Sequence, residues 1–310
     1  MKRIQFHRYG GPEEMQLEDW RLPALRDDEI LVRVKAASIN PVDWKIRQGA
    51  MKFMTGKQFP RGMGQDFSGV VEGIGSRVTR FKIGDEVFGS TPVKTSGSFA
   101  ETVITQEKLA AKKPAALSHE DAATLPIAGS TAWIALARKA KLKSGQKVFI
   151  NGAYGAVGQA ATQIAKMLGA SVTGRVGAGS FKEAKALGMD MVLDYKQGIP
   201  KDLAARFDVV FDAHGGLTIG EEGMLAKRGG VILDINPSPS KMLRLAFSPS
   251  RKFVMGKQDA VTLAEVGELA SKGKLKIAIE HKVRLDEGIS LIKNLEAGRA
   301  RGKSLIVNVA

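Results

Sequence analysis

The 310 residues contain no cysteine. Disulfides and thiolate metal sites are therefore excluded together. No apolar run reaches the ~18–20 residues that a membrane span requires. Aromatic residues make up only 6% of the chain and are not interleaved with basic runs. A nucleic-acid-reading surface thus has no motif to rest on. The opening MKRIQFHRYGGPEE holds no apolar core of the kind a secretion signal carries. A cytoplasmic protein is the expectation.

What is present is a globular composition, 44% apolar and 25% charged, with enough length for two domains. Lys and Arg number 47 against 32 Asp and Glu, a net charge of +15. Such a field attracts phosphate-bearing partners: nucleotides, nucleic acid or an anionic membrane surface. The cations are dispersed, so a solvated basic surface and no specific nucleic-acid partner are expected.

The first ~115 residues read as β-rich, with many short strands and frequent turns. EILVRVKAASI (29–39) alternates apolar and polar residues as a half-buried strand does. SGVVEGIG, DEVFGS and SFAETVIT follow as shorter strands between glycines and charged turns. From Leu142 the rhythm changes. KVFI runs through NGAYGAVG into a segment whose Val157, Ala161, Ile164, Ala165 and Leu168 recur at helical spacing, closed by Gly169. SVTGRV is a second strand, and SFKEAKALG suggests a helix opened by a capping box of Ser180 and Glu183. MVLDY, DVVFDA, VILDI and KFVMG supply further strands. Strands alternating with helices predict a parallel, doubly wound sheet. The last fifty residues fit neither half alone and are expected to complete the first domain.

INGAYGAVGQ places Gly152, Gly155 and Gly158 directly after a strand and at the start of a helix. A helix N-terminus offers unpaired N–H groups and partial positive charge to a pyrophosphate, and glycine lets the backbone approach it closely. The pattern is GxxGxxG rather than GxGxxG, but its setting is that of a dinucleotide turn. The end of the second strand, Thr173-Gly174-Arg175, has Lys182 beyond it and no acid between Ser171 and Phe181. An NAD site wants an acid there for the ribose hydroxyl. Cations suit a 2′-phosphate, so NADPH is the expected cofactor.

AASINPVDWKIRQG (36–49), GQDFSGVVEGIG, FKIGDEVFG, LPIAGSTAW, INGAYGAVGQAATQIAK, LGMDMVLDY and GRARGKSLIVNV follow one another along nearly the whole chain. In that order they resemble the medium-chain dehydrogenase/reductase superfamily, and within it the zinc-independent quinone oxidoreductase-like branch that includes alkenal/enone reductases. The resemblance implies an α/β protein with a GroES-like catalytic domain (1–118 and 262–310), a Rossmann NADP-binding domain (119–261) and an active site in the cleft. It also implies a homodimer.

The zinc alcohol dehydrogenases of this superfamily carry a His–Glu pair where RGMGQDFSGVV (61–71) has Gln65–Asp66. The four histidines (7, 119, 214, 281) are scattered and no cysteine ligand exists, so no zinc site is expected. Gln65–Asp66 is expected to brace the Gly-rich turn by local hydrogen bonds, with acid or base chemistry as the alternative. Without a Lewis acid, an activated C=C bond or a quinone is an easier hydride acceptor than a carbonyl.

The resemblance assigns Asn40 and Thr131 to the nicotinamide region, and residues 152–158 (Gly152, Ala153, Tyr154, Gly155, Ala156, Val157, Gly158) to the pyrophosphate. Arg175 and Lys182 fall to the 2′-phosphate, Tyr195 to the adenosine phosphate, and His214 and Gly215 to a second cofactor loop. Lys45 is the candidate for steadying substrate oxygen, with Asn40 beside it; an ordinary surface lysine is the alternative. Tyr154 stands where relatives have a small residue, and Met51 where several have an aromatic one, so solvent is the expected proton source. The segment 237–252, PSPSKMLRLAFSPSRK, frames Met242, Leu243, Leu245, Ala246 and Phe247 with prolines and cations. A substrate lid, a peripheral membrane contact and a plain connection between strands all fit it. An enoyl-thioester reductase and a non-catalytic NADPH-binding sensor or structural protein remain alternative functions.

Overall fold

A computed structural model describes residues 1–245, 247–256, 258–298 and 302–308. Two compact units divide the chain: Met1–Ile127 with Gln258–Ser271 and Ile277–Ala310, and Ala128–Lys257 with Lys272–Lys276. The first break falls after Ile127 rather than at residue 118 because the helix His119–Ala123 packs on the strands Glu29–Ser38 and Asp66–Ile74 of the first unit. No helix among the described residues is long and apolar enough to cross a membrane.

The first unit is built on a seven-stranded sheet. Its order runs Ile279–Arg284, Lys303–Val307, Glu29–Ser38, Asp66–Ile74, Glu86–Ser90 and Ala110–Lys112, with Thr102–Gln106 also paired to Glu29–Ser38. In Glu29–Ser38 the alternating Ile30, Val32 and Val34 enter a core with Phe67, Val87, Ile292 and Ile306, and Ala36 continues the buried alternation. The alternation stops at Ala37 and Ser38, which are buried as well. The C-terminal strand lies antiparallel beside this end, with Leu305 opposite Ser38, while Asp66 faces Ser38 from the other neighbour. Chain topology therefore brings residues 38, 66 and 303 together.

The second unit holds a six-stranded, all-parallel sheet. Its order is Met191–Asp194, Ser171–Val176, Lys147–Asn151, Phe207–Asp212, Ala226–Asp234 and Arg251–Phe253. The chain winds outward in one direction from Lys147–Asn151 and then crosses to continue in the other, so the loops after Lys147–Asn151 and Phe207–Asp212 diverge at a switch point. The helix Ala156–Met167 follows the expected spacing and ends at Gly169, whose φ of +79° is the left-handed C-terminal conformation. The capping box at Ser180 does not form. Ser180 ends a 3₁₀ turn, Ala178–Ser180, and its φ/ψ of −120°/14° leaves the side chain making no cap bond to the helix Phe181–Ala186.

Candidate functional site

In the second unit the turn after Lys147–Asn151 is shaped by close backbone approaches. Gly152 has φ +74°, and a Cβ there would lie 2.8 Å from His214 Cβ. A Cβ on Gly158 would meet Gly152 O at 2.2 Å and Ala153 Cα at 2.6 Å. Glycine thus lets the helix, the strand end and the His214 loop approach one another closely. Gly155 is the N-cap of that helix, and a Cβ on it would meet only Gly152 O at 3.4 Å. Tyr154 is half-buried, and its carbonyl accepts from Gln159 Nε2 at 2.9 Å.

The neighbouring strand ends converge on the same side. Arg175 O accepts from Gly152 N and Ala153 N at 3.0 and 3.1 Å. Its guanidinium Nη2 donates to Tyr195 O at 2.8 Å and Gln197 O at 3.1 Å, so Arg175 braces the next loop as well as ending its strand. Lys182 is exposed on the short helix Phe181–Ala186. Tyr195 is exposed, with Cε1 3.3 Å from the Cβ position of Gly177. His214 and Gly215 follow Phe207–Asp212, and Thr131 is buried in the helix Leu125–Trp133.

A residue absent from the expected set organises this loop. Asp212 is fully buried. Its Oδ1 accepts from Asn151 Nδ2 at 2.9 Å, Gly215 N at 2.7 Å, and His214 N and Gly216 N at 3.3 Å each. Its Oδ2 accepts from Leu217 N at 2.9 Å and Lys241 Nζ at 3.1 Å. Burial raises its pKa, but the bonds from Asn151, Leu217, Gly215 and Lys241 bring it below the ordinary value.

In the first unit, Asn40 does not present its amide outward. Nδ2 donates to Asp66 Oδ2 at 2.9 Å and to Ser38 O at 3.3 Å, and Oδ1 accepts from Lys303 Nζ at 2.6 Å. Lys303 also donates to Ser38 Oγ at 2.7 Å and lies 3.4 Å from Asp66 Oδ2. Asp66 therefore braces strands distant in sequence rather than the Gly-rich turn, and Gln65 takes no part. Asp43 Oδ2 accepts from Asn40 N at 2.7 Å at the start of the helix Pro41–Arg47. Burial pushes Asp43 up to about 8 and raises Asp66, while it lowers Lys303 against the pull of both acids. Lys45 is half-buried on the same helix.

Residues 26–115 match the alcohol dehydrogenase GroES-like domain, and residues 187–306 match a zinc-binding dehydrogenase domain. A spinach chloroplastic quinone-oxidoreductase homolog is 32% identical over 99% of this chain and 98% of its own. The chain belongs to the quinone oxidoreductase-like branch of the medium-chain dehydrogenase/reductase superfamily. An NADPH-dependent alkenal/one oxidoreductase from Arabidopsis chloroplasts is 32% identical over 99% of this chain and 79% of its own. The solved quinone oxidoreductase of Coxiella burnetii superposes with a TM-score of 0.91 at 32% identity, covering 100% of this chain and 99% of that one.

These relatives correct the cytoplasmic expectation, since the similar plant proteins are chloroplastic. Composition and a missing apolar core speak only to secretion and membrane spans, not to organelles.

Several potential zinc ligands among the described residues are engaged with other side chains. His7 Nε2 lies 2.8 Å from Glu18, and His119 has Nδ1 2.8 Å from Ser68 Oγ and Nε2 3.2 Å from Glu86. One group of three potential ligands exists among the described residues, Asp212, Glu222 and Asp234. Lys241 Nζ already sits 3.1, 2.6 and 2.7 Å from them, respectively. An ammonium takes the place a cation would need.

Proposed function

We propose that this chain is a zinc-independent NADPH-dependent reductase acting on a quinone or on the activated C=C bond of an α,β-unsaturated carbonyl. The observation that carries the reading is the glycine-shaped turn 152–158 at the switch point of a parallel sheet, held against the His214 loop. The names of the spinach and Arabidopsis relatives supply the acceptor class. Residues 152–158 would hold the pyrophosphate, His214 and Gly215 the second face of the dinucleotide, Thr131 the nicotinamide end and Tyr195 the adenosine end. Arg175 and Lys182 place cations where an NAD site has an acid. The nicotinamide, when bound, supplies the hydride.

The chain's own residues then have a modest task. The anion formed from an enone or quinone is delocalised, so hydrogen bonding suffices to steady it and no Lewis acid is needed. Lys45 is the candidate donor. Asn40, its amide consumed by Lys303, Asp66 and Ser38, keeps the start of the Lys45 helix in place. Solvent completes the reduction by delivering the proton.

Proton NMR of the product from an alkyl vinyl ketone and NADPH, which separates vinyl from saturated protons, tests the proposal. The saturated ketone is expected. An allylic alcohol, reduced at the carbonyl, would refute the acceptor assignment, and NADPH binding with no product would favour a sensor.

A further inference from the structure

Two cations of the segment 237–252 face inward. The helix Pro239–Leu245 leaves Met242 and Leu243 exposed but buries Lys241. Arg251, at the far end of the segment, opens the edge strand Arg251–Phe253 and pairs with Glu222 Oε2. The segment thus delivers two cations to a cluster of three buried acids.

Each acid comes from a different element. Asp212 ends the strand Phe207–Asp212, Glu222 lies in the helix Ile219–Leu225, and Asp234 ends the strand Ala226–Asp234. Lys241 Nζ binds all three at 2.6–3.1 Å. Lys252 lines the same small recess, but its Nζ is turned to Lys139 O at 2.7 Å. Asp212 is the member that reaches outward, to Asn151 before the glycine turn and to the backbone of 214–217. Those contacts are all N–H donors, so the carboxylate serves them best when it is ionised and correctly turned.

We infer that Lys241 is a positioning residue for dinucleotide binding, holding Asp212 so that the turn at Gly152 and the loop at His214–Gly215 keep their mutual spacing. This rests on the proposal that the chain binds NADPH. Without the ammonium, the acids, within 4.8 Å of one another, keep Arg251 on Glu222 as their one countercharge among the described residues. Like charges this close resist joint ionisation, and one takes a proton. Asp234, already raised by burial, is that acid. At low pH its proton replaces the lysine as a donor toward Asp212. As pH rises Asp234 ionises, and repulsion drives Asp212 out of register.

The test is the NADPH dissociation constant, read by NADPH fluorescence between pH 5.5 and 8.5 and expressed as a ratio to wild type at each pH. For Lys241→Met the ratio is expected to be within about threefold at pH 5.5 and to climb to about tenfold or more at pH 8.5. Lys241→Arg keeps the ratio near one. Lys241→Met/Asp234→Asn restores the charge balance and flattens the profile. A pH-independent ratio for Lys241→Met, or a double variant as weak as the single one, would overturn the inference. If Lys241→Met does not fold, the double variant decides alone: tenfold weaker binding at every pH refutes the role. Wild-type protein that fails to bind NADPH refutes the parent proposal and this one together, whereas unchanged variants refute only this one.

Discussion

Lys303 and Asn40 are 263 residues apart in the chain, and the ammonium of one lies 2.6 Å from the amide oxygen of the other. The contact joins the strand Lys303–Val307 to the residue that caps the helix Pro41–Arg47. Lys303 is itself buried, so its charge depends on Asp66, Ser38 and Asn40, with Asp43 nearby. Removing one partner of a buried pair leaves the other uncompensated, at a cost of about 3–5 kcal/mol. Lys303→Met is expected to lose that much in urea unfolding, and Lys303→Met/Asp66→Asn to recover a large part of it. A single variant as stable as wild type would show that the pair is dispensable.

Asp43 gives the first unit a pH signature. Burial, helped by the nearby charge of Asp66 and opposed by the Asn40 N–H and by Lys303, puts its folded pKa at about 8. The unfolded value is about 3.9. The folded state therefore keeps a proton that the unfolded state releases between about pH 4 and 8. This contribution to stability is complete below pH 4 and is lost as pH rises toward 8. Asp43→Asn carries no such loss, so its stability should gain on wild type steadily from pH 5 to pH 8. Urea midpoints at three pH values check this, and a constant difference would contradict it.

Gly158 and Gly155 separate packing from ligand approach. A methyl on Gly158 meets backbone atoms at 2.2–2.7 Å, so Gly158→Ala should lower the melting temperature and weaken NADPH binding together. A methyl on Gly155 meets only Gly152 O at 3.4 Å. Gly155→Ala should leave the melting temperature unchanged and weaken NADPH binding on the order of tenfold, by standing where a phosphate approaches. Unchanged binding in both would remove the turn from the cofactor site.

Under the proposed NADPH assignment, Arg175 and Lys182 are expected to contribute differently to cofactor choice. Arg175 is engaged by the carbonyls of Tyr195 and Gln197, so its loss should loosen that loop and weaken both cofactors, NADPH more than NADH. Lys182 is exposed, and Lys182→Ala should reduce the preference for NADPH over NADH by a few-fold with NADH binding unaltered. Competition titrations with the two cofactors read both outcomes.

The glycine-rich turn between a strand and a helix was legible because its signal is local: a strand, three glycines and an amphipathic helix within about twenty-five residues. Asp212, Asn151 and Lys241 were not, because each is one polar residue whose partners appear only after the strands are ordered. A trace existed in DVVFD and VILD, two buried parallel strands that each end on an acid. Lys303, opening the apolar KSLIV, was a similar trace. The local bracing expected of Gln65–Asp66 missed for the same reason, since Asp66 finds its partners across the sheet in Ser38, Asn40 and Lys303. Ser180 misled because its capping pattern is sequence-level, while a preceding 3₁₀ turn set its backbone.

Absorbance at 340 nm, followed with NADPH or NADH against a panel of quinones, an alkenal and an alkyl vinyl ketone in the presence of EDTA, tests the central claim most directly. The account predicts NADPH oxidation by a quinone or an enone, slower turnover with NADH, and no effect of the chelator. Activity abolished by EDTA and restored by zinc, or no oxidation with any acceptor despite tight NADPH binding, would contradict it.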